Sequence, residues 1–194
     1  MTAASRLQQA WLRRGVTAWL LWPLSWLYRG LLALRRAGYR SGFLRTHRLP
    51  VPVLVVGNLI VGGAGKTPTT MALVELLRAH GHRPGLLSRG YGRSSDIPQL
   101  VTRHTAARDA GDEPLLMHLR TGAPTAVGAD RAAAGRLLLR EHPELTVLVC
   151  DDGLQHWRLA RDAQIIVFDE RGGGNGWLLP AGPLREPVPR AVPP

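Results

Sequence analysis

The sequence predicts an α/β fold, in which a mostly parallel sheet carries helices on both faces, preceded by an N-terminal helical arm. Short apolar runs rich in β-branched residues alternate with segments of helical periodicity, a pattern typical of parallel sheets. The first 50 residues differ, because they combine arginines and tryptophans with no Asp or Glu. At 194 residues the chain is long enough for one domain with a sizeable core and an appendage.

The apolar runs and the periodic segments give the order of the elements after the arm. Strands are predicted at 53–56, 84–88, 98–102, 125–127, 145–149 and 165–168. Helices are predicted at 69–80, 113–120 and 130–141. We therefore expect an arm over residues 1–48, an α/β domain over 49–187, and a Pro-rich tail or linker over 188–194.

The arm has the composition of a helix that lies at a membrane surface. The formal net charge of the chain is +11, and the arm contributes arginines without any acidic residue. Four tryptophans lie in or beside the apolar stretch Gly15–Tyr28: Trp11, Trp19, Trp22 and Trp26. Indole rings favour the boundary between water and hydrocarbon, and the stretch is shorter than the roughly 20 apolar residues of a spanning helix. We expect an amphipathic, membrane-associating interfacial helix, kinked near Pro23.

Three other interpretations of the arm remain open. A secretory signal peptide would end in an Ala-x-Ala cleavage site, which does not follow the apolar run. The helix could instead pack on its own domain. Arginine with aromatic residues also suits a nucleic-acid-binding module, in which rings stack on bases. Such a module would bind oligonucleotides in a salt-sensitive manner and would be indifferent to ATP.

A glycine loop follows the first predicted strand and precedes a predicted helix. It contains Lys66, the only lysine among 25 basic residues, and a compact ammonium fits between backbone amides and a phosphate oxygen better than a planar guanidinium does. The loop meets the G-K-[ST] part of the phosphate-binding motif, although Ile60 occupies the position of the first glycine. The predicted nucleotide-binding residues are Ile60, Val61, Gly62, Gly63, Ala64, Gly65, Lys66 and Thr67. Thr67 is also expected to bind Mg²⁺.

A phosphate loop requires an acidic element on a neighbouring strand. The run LTVLVCDD over 145–152 supplies one, since it is an apolar strand that ends in Asp151 and Asp152. Ligands of open α/β sheets bind at this carboxyl edge. Either carboxylate could hold the metal, directly or through water. The loop and this strand together predict a P-loop NTPase-like sheet.

Two further polar clusters follow predicted strands. SRGYGR over 88–93 offers Arg89 and Arg93 to a phosphorylated or sugar ligand, or forms a flexible basic turn. In AGDEP over 110–114, Asp112 either caps the next helix or serves as the base that deprotonates an attacking hydroxyl.

The remaining reactive residue types offer little further chemistry. The single cysteine, Cys150, lies in an apolar run and is expected to be a core residue rather than a nucleophile. The seven histidines form no metal-binding spacing.

Five motifs occur in order: VGNLIVGGAGKTP (56–68), SRGYGR (88–93), GDEP (111–114), DDGLQH (151–156) and LPAGPLREP (179–187). Together they resemble the tetraacyldisaccharide 4'-kinase family, the lipid A 4'-kinases of Gram-negative bacteria. The resemblance implies a membrane-associated P-loop kinase that transfers the γ-phosphate of ATP to the 4'-hydroxyl of a tetraacylated glucosamine disaccharide 1-phosphate. It also implies Mg²⁺ and a location at the cytoplasmic face of the inner membrane.

The resemblance also implies roles for individual residues. Lys66 and Asp112 would be catalytic, with Asp112 as the base, and Arg89 and Tyr91 would lie near the substrate. The partners implied are the lipid A disaccharide precursor and the inner-membrane surface; neither nucleic acid nor a protein partner is indicated.

One departure from the family concerns length. Family members continue beyond LPAGPLREP into a second α/β portion, which contributes a histidine that assists the base. We therefore expect this chain to bind Mg·ATP and to be weakly active or inactive in transfer. The alternative function is a membrane-recruited P-loop ATPase switch. Such switches usually carry an extra lysine before the glycines, where this chain has Asn58 and Ile60.

Overall fold

The structure is a computed structural model that describes residues 11–63 and 65–188. Ala64 of the predicted nucleotide loop and, apart from Val188, the predicted tail lie outside the described residues. The chain divides into two compact units. The arm unit comprises the described residues of Met1–Leu44, Asn58–Ala64 and Phe168–Pro194, and the sheet unit comprises those of Arg45–Gly57 and Gly65–Val167.

The described helices and strands alternate along the chain. In order they are α1 (Val16–Arg40), β1 (Val53–Gly57), α2 (Lys66–Ala79), β2 (Pro84–Ser88), β3 (Gln99–Val101), α3 (Ala107–Ala110), α4 (Asp112–Thr121), β4 (Thr125–Val127), α5 (Arg131–Glu141), β5 (Val147–Asp151) and β6 (Ala163–Ile166). The six strands form one sheet in the order β3-β4-β2-β5-β1-β6. All neighbouring strands are parallel except β3, which runs antiparallel to β4 at the edge.

Helices cover both faces of this sheet. On one face, Val74 of α2 and Met117 of α4 share a buried cluster with Leu86 of β2. On the other face, Leu138 of α5 lies over Gly85, where an added Cβ would stand 3.0 Å from the Leu138 Cδ2. Gly85 and Leu86 point to opposite faces because strand side chains alternate. The prediction of a mostly parallel sheet between helices is confirmed.

The ends of several elements differ from the predicted ones. Strand β5 extends to Asp151, because the parallel register pairs Asp151 with Val56 of β1. Strand β6 begins at Ala163, which pairs with Leu54. The prediction from apolar runs placed the end of β5 and the start of β6 wrongly, because backbone pairing, rather than hydrophobicity, determines where a strand begins and ends. Helix α2 begins at Lys66, three residues before the predicted start, since Pro68 is tolerated in a first helical turn.

The arm unit contains one long helix. Helix α1 has 25 residues and continues through Pro23, and the kink expected there stays a prediction. Among the described residues, no helix combines the length and the hydropathy that a membrane span requires.

The units cross the domain boundaries that the sequence predicts. Residues 168–187, expected in the α/β domain, group with the arm. The physical reason is hydrogen bonding to α1, for example from the Tyr28 hydroxyl to the Arg185 carbonyl oxygen at 2.8 Å. The first part of the glycine loop, Asn58–Ala64, belongs to the same unit.

Candidate nucleotide site

The N-terminus of α2 brings the lone lysine to the carboxyl edge of the sheet unit. Gly65 caps this helix with φ 74°, a left-handed conformation that favours glycine. Lys66 is the first helical residue, and its side chain is 12% exposed. The Thr69 hydroxyl donates to the Gly65 carbonyl oxygen at 2.9 Å. The positive end of the helix dipole and a nearly buried ammonium therefore coincide, as an anion site requires.

Asp151 ends β5 beside the strand that leads into the glycine loop, and its side chain is buried. The Thr70 hydroxyl of α2 donates to Asp151 Oδ1 at 3.1 Å. The other oxygen, Oδ2, is buried and has no hydrogen-bond partner in the part of the chain that the structure describes. Burial, together with the charges of Glu113 and Asp152, raises the pKa of Asp151 to about 6. The prediction of an acidic strand next to the loop strand is confirmed.

Asp152 follows in an unusual backbone conformation. Its φ is 47°, and within residues 11–63 and 65–188 it is the one non-glycine residue at positive φ. Aspartate enters this left-handed region at lower cost than most residues. The turned carboxylate faces the lysine, with Asp152 Oδ1 3.4 Å from Lys66 Nζ. The two adjacent aspartates therefore differ: Asp151 contacts the helix hydroxyl and Asp152 contacts the ammonium.

Arg131, the first residue of α5, supports the Asp152 turn. Its side chain is buried, and Nη2 donates to the Asp152 carbonyl oxygen at 3.2 Å. Nη1 lies 3.4 Å from Nδ1 of His156. Burial, reinforced by Arg131, lowers the pKa of His156 to about 4, so the imidazole is neutral near pH 7 and accepts from the guanidinium. A side chain of α5 thus stabilises the backbone of the Asp152 turn.

Cys150 and Gly153 pack beneath the same turn. A Cβ at Gly153 would stand 2.7 Å from Cys150 Sγ, so the turn admits no larger residue there. Burial raises the pKa of the Cys150 thiol to about 11. The prediction that Cys150 is a core residue rather than a nucleophile agrees with this, because a thiol at neutral pH is a poor nucleophile.

The residues at this edge fit a magnesium ion bound together with phosphates. No group of three or more His, Cys, Asp or Glu residues within the described ranges could hold a metal. Magnesium in phosphate sites needs only one or two carboxylates, with substrate phosphates and water as the other ligands. The unpartnered Asp151 Oδ2 suits that donor set. Thr67 lies one helical turn before Thr70, and therefore on the face of α2 that reaches Asp151.

Asp112 does not cap its helix. It is the first residue of α4, Gly111 occupies the N-cap position, and the N-cap makes no side-chain hydrogen bond. The interpretation of Asp112 as a side-chain cap is therefore wrong, because the helix starts earlier than predicted. Its exposed carboxylate is not engaged in capping, and its role as a base stays a prediction. The next residue, Glu113, is near enough to raise the pKa of Asp151.

The loop over 88–93 packs against the C-terminal end of α3. A Cβ at Gly90 would stand 2.5 Å from the Ala110 carbonyl oxygen. Arg93 closes this contact, since its Nε donates to the Asp109 carbonyl oxygen at 3.0 Å and its Nη2 to that of Ile97 at 2.7 Å. Arg93 therefore supports this loop structurally, and its role in ligand binding stays a prediction. Arg89 and Tyr91 are exposed, Tyr91 by 88%, and their substrate role stays a prediction.

In the arm unit, the first part of the glycine loop is held mainly through its backbone. The Val61 amide donates to the Pro183 carbonyl oxygen at 3.0 Å, and Ile60, which is buried, forms an antiparallel bridge with Leu184. The Val61 amide is thus already hydrogen-bonded within the protein, and the roles of Ile60 and Val61 in nucleotide binding stay predictions. Arg171 Nη2 donates to the Gly63 carbonyl oxygen at 2.8 Å.

Several residues around the site escaped the sequence-based prediction. They are Thr70, Glu113, Arg131, His156 and Arg171. Each acts through a contact between segments distant in sequence, so even Glu113, which lies in the GDEP motif, is linked to the site only by the fold. The DDGLQH motif did contain His156, but only the fold brings Arg131 to it.

A strand, a glycine loop ending in Lys-Thr, a helix and a neighbouring strand ending in aspartate define an α/β protein of the P-loop class. Within that class, residues 17–192 match the family model described as "Tetraacyldisaccharide-1-P 4'-kinase". The chain belongs to this family.

Individual relatives agree with the family match. A tetraacyldisaccharide 4'-kinase from Acidovorax sp. (strain JS42) is 60% identical over 189 residues, which cover 97% of this chain and 56% of that protein. One from Janthinobacterium sp. (strain Marseille) is 58% identical over 184 residues, which cover 95% of this chain and 53% of that protein. The chain therefore spans about half the length of the curated relatives it matches.

A solved structure is also similar. The crystal structure of LpxK from Aquifex aeolicus in complex with ATP superposes with a TM-score of 0.78 at 40% identity. The match covers 88% of this chain and 54% of the other.

Proposed function

We propose that this chain supplies the nucleotide-binding portion of a lipid kinase. The reaction would transfer the γ-phosphate of ATP to the 4'-hydroxyl of a tetraacylated glucosamine disaccharide 1-phosphate. The observation that carries the proposal is the Lys66–Asp152 pair at 3.4 Å beside the buried, unpartnered Asp151 Oδ2. An ammonium and an incompletely satisfied carboxylate at one helix N-terminus suit a metal–triphosphate ligand, and the family membership supports a kinase reaction.

In this proposal the glycine loop binds the phosphates of ATP. Backbone amides within Gly62–Thr67 would donate to phosphate oxygens, and the Lys66 ammonium would move from Asp152 toward the negatively charged phosphates. Thr67, Asp151 and Asp152 would hold Mg²⁺, which when bound neutralises charge on the phosphates. The raised pKa of Asp151 is consistent with such a role, because a nearby cation would favour its ionised form.

Asp112 is proposed as the general base. Its carboxylate would take the proton of the 4'-hydroxyl as the hydroxyl oxygen forms its bond to the γ-phosphorus. The bond between that phosphorus and the bridging oxygen breaks, and ADP leaves. Exposure at the first turn of α4 leaves the Asp112 side chain accessible to a substrate. The exposed Arg89 and Tyr91 would contact the acceptor, where a guanidinium can pair with its phosphate.

We further propose that α1 lies on the cytoplasmic surface of the inner membrane. Six of its exposed large aliphatic residues recur every three or four positions: Val16, Leu20, Leu24, Leu27, Leu31 and Leu34. At 100° per residue they share one side of the helix, which favours an apolar surface over water. Arginines such as Arg29, placed over the Trp26 ring at 5.2 Å, could pair with lipid phosphates. An acylated acceptor would be met at that surface.

The alternative, a membrane-recruited P-loop ATPase switch, has less support. The family model and the relatives are named as kinases.

Transfer of radiolabelled phosphate tests the proposal. The purified chain and a version extended past Pro194 would be incubated with labelled ATP, Mg²⁺ and a lipid A disaccharide precursor. We expect Mg·ATP binding by the 194-residue chain and labelling of the lipid by the extended chain. ATP hydrolysis without lipid labelling in the extended chain would favour the switch.

A further inference from the structure

One segment of the arm unit hydrogen-bonds to α1 and to the glycine loop. We define the strap as residues 177–186, which include the LPAGPLRE motif. Main-chain bonds fold it on itself: the Leu179 amide donates to the Leu184 carbonyl oxygen at 2.9 Å, and the Leu184 amide to that of Trp177 at 3.1 Å. A Cβ at Gly182 would stand 2.3 Å from the Trp177 carbonyl oxygen. The strap is therefore a tightly folded element.

Two hydroxyls of α1 bind the strap. Ser25 Oγ donates to the Leu178 carbonyl oxygen at 2.9 Å and accepts from the Ala181 amide at 3.1 Å. The Tyr28 hydroxyl donates to the Arg185 carbonyl oxygen at 2.8 Å. Ser25 is 6% exposed, so a lost bond there would leave main-chain groups of the strap without a partner and away from water.

Besides its bonds to α1, the strap makes main-chain hydrogen bonds to the segment that begins the glycine loop. The Arg185 amide donates to the Leu59 carbonyl oxygen at 2.7 Å, and the Val61 amide donates to that of Pro183 at 3.0 Å. Arg185 thus bonds to Tyr28 through its carbonyl and to Leu59 through its amide. A single peptide segment carries the contact from the helix to the loop.

The geometry points to Ser25 and Tyr28 as positioning residues of the nucleotide site. They hold the strap, the strap holds Leu59–Val61, and Gly62 and Gly63 of the phosphate loop follow directly. This inference rests on the proposed function for its link to ATP. A phosphate loop binds well only when its amides are already arranged, because disorder must otherwise be removed on binding. Helix α1 therefore helps to position the first part of the glycine loop within the arm unit and is also a candidate membrane anchor.

Helical geometry separates these two roles. Ala18, Leu21, Ser25, Tyr28 and Leu32 are the buried or half-buried stripe of α1 from residue 18 to 32. At 100° per residue, the centre of this stripe lies about 120° around the helix from the centre of the exposed leucines, and Ser25 is farther from those leucines than Tyr28 is. Substitutions on one side can therefore be designed without altering the other.

The experiment uses the full chain without lipid and measures two quantities for each variant. The first is hydrogen exchange of the Val61 and Arg185 amides, and the second is the Kd for Mg·ATP, both well below the unfolding midpoint. For Ser25→Ala we expect about tenfold faster exchange and about tenfold weaker ATP binding. For the milder Tyr28→Phe we expect about threefold changes.

One control uses the same helix. Thr17→Ala removes an exposed hydroxyl and should leave exchange and ATP binding unchanged. If Ser25 had a purely structural role, Ser25→Ala would lower the unfolding midpoint. The Kd for Mg·ATP and the exchange rates of the two amides would then equal those of the unsubstituted chain. That result, in folded Ser25→Ala or Tyr28→Phe, overturns the inference.

The two measurements also separate this inference from the proposed function. If Lys66→Ala and the unsubstituted chain bind ATP equally poorly while exchange still rises in Ser25→Ala, the nucleotide assignment fails and the positioning contact stands. If Lys66→Ala abolishes ATP binding but Ser25→Ala changes neither quantity, the nucleotide assignment stands and the positioning contact fails.

Discussion

The two units of this molecule hold their functional groups in different ways. In the sheet unit, charged and hydroxyl side chains contact one another: Thr70 bonds Asp151, Lys66 faces Asp152, and Arg131 holds the Asp152 backbone. In the arm unit, the glycine loop is held largely by main-chain groups of the strap. Chemistry in the first unit therefore depends on residue identity. Geometry in the second depends on main-chain hydrogen bonds of the strap and on the two hydroxyls, of Ser25 and Tyr28, that hold it.

The largest expected effect belongs to a side chain of the sheet unit. Asp112→Asn, in a chain extended past Pro194, should lower the rate of phosphate transfer by about 10³-fold, the typical contribution of a general base. The Kd for Mg·ATP should change little, since Asp112 would act on the acceptor. Single-turnover transfer and ATP titration measure the two effects. Glu141→Gln, an exposed acid on α5, is the matched control, and equal transfer by Asp112→Asn would remove the base assignment.

The next prediction contrasts the exposed leucines of the two units. Leu27→Ser with Leu31→Ser should weaken binding to anionic vesicles by about 30-fold, because each leucine buries apolar area in the membrane. Leu116→Ser with Leu119→Ser alters two leucines of α4 that are exposed by 45% and 57%. Vesicle sedimentation should show no change for that pair. Equal losses for both pairs would mean that α1 has no special affinity for membranes.

Asp151 provides a prediction about stability and pH. Its folded-state pKa of about 6 lies above the ordinary 3.8, so the folded state binds the proton more tightly and ionised Asp151 destabilises the fold. Stability from this group is present below pH 4 and is lost as the pH rises toward 6 and above. Asp151→Asn removes the charge, and relative to the unsubstituted chain it should gain on the order of 2 kcal/mol between pH 4 and pH 8 without metal.

Urea unfolding of both proteins at the two pH values measures this gain. A stability difference that does not change with pH would show that the buried carboxylate carries no penalty. The same variant should lose phosphate transfer, because it lacks the charge proposed to hold Mg²⁺.

The smallest of these expected effects, on Mg·ATP binding, comes from Arg131, whose side chain stabilises the Asp152 turn. Arg131→Met keeps a long buried side chain but loses the bonds to the Asp152 carbonyl and to His156. We expect about fivefold weaker binding of Mg·ATP, since the backbone of a site residue would be less firmly held. Arg136→Ala, an exposed arginine of the same helix, should have no effect. An unchanged Kd in Arg131→Met would assign the bonds to folding alone.

The contrast between the units also explains what the sequence could predict. Lys66, Thr67, Asp151 and Asp152 stand in contiguous motifs whose spacing follows from the chemistry of phosphate binding, and the neighbouring strands were predicted from their apolar runs. Ser25, Tyr28 and Arg131 have no such motif, because their partners are main-chain groups distant in sequence. The role of Asp112 was ambiguous because it depends on where α4 begins. The helix starts at Asp112 itself, one residue earlier than predicted, so Gly111 rather than Asp112 occupies the N-cap position.

Calorimetric titration of Mg·ATP into the unsubstituted chain and into Lys66→Ala is the decisive test of the nucleotide site. A lost ammonium–phosphate contact in a nearly buried site should weaken binding by about 100-fold, while the unfolding midpoint stays close to that of the unsubstituted chain. Lys66→Arg should also bind poorly, since a planar guanidinium does not replace a compact ammonium. Equal affinity of the unsubstituted and Lys66→Ala chains would contradict the nucleotide site.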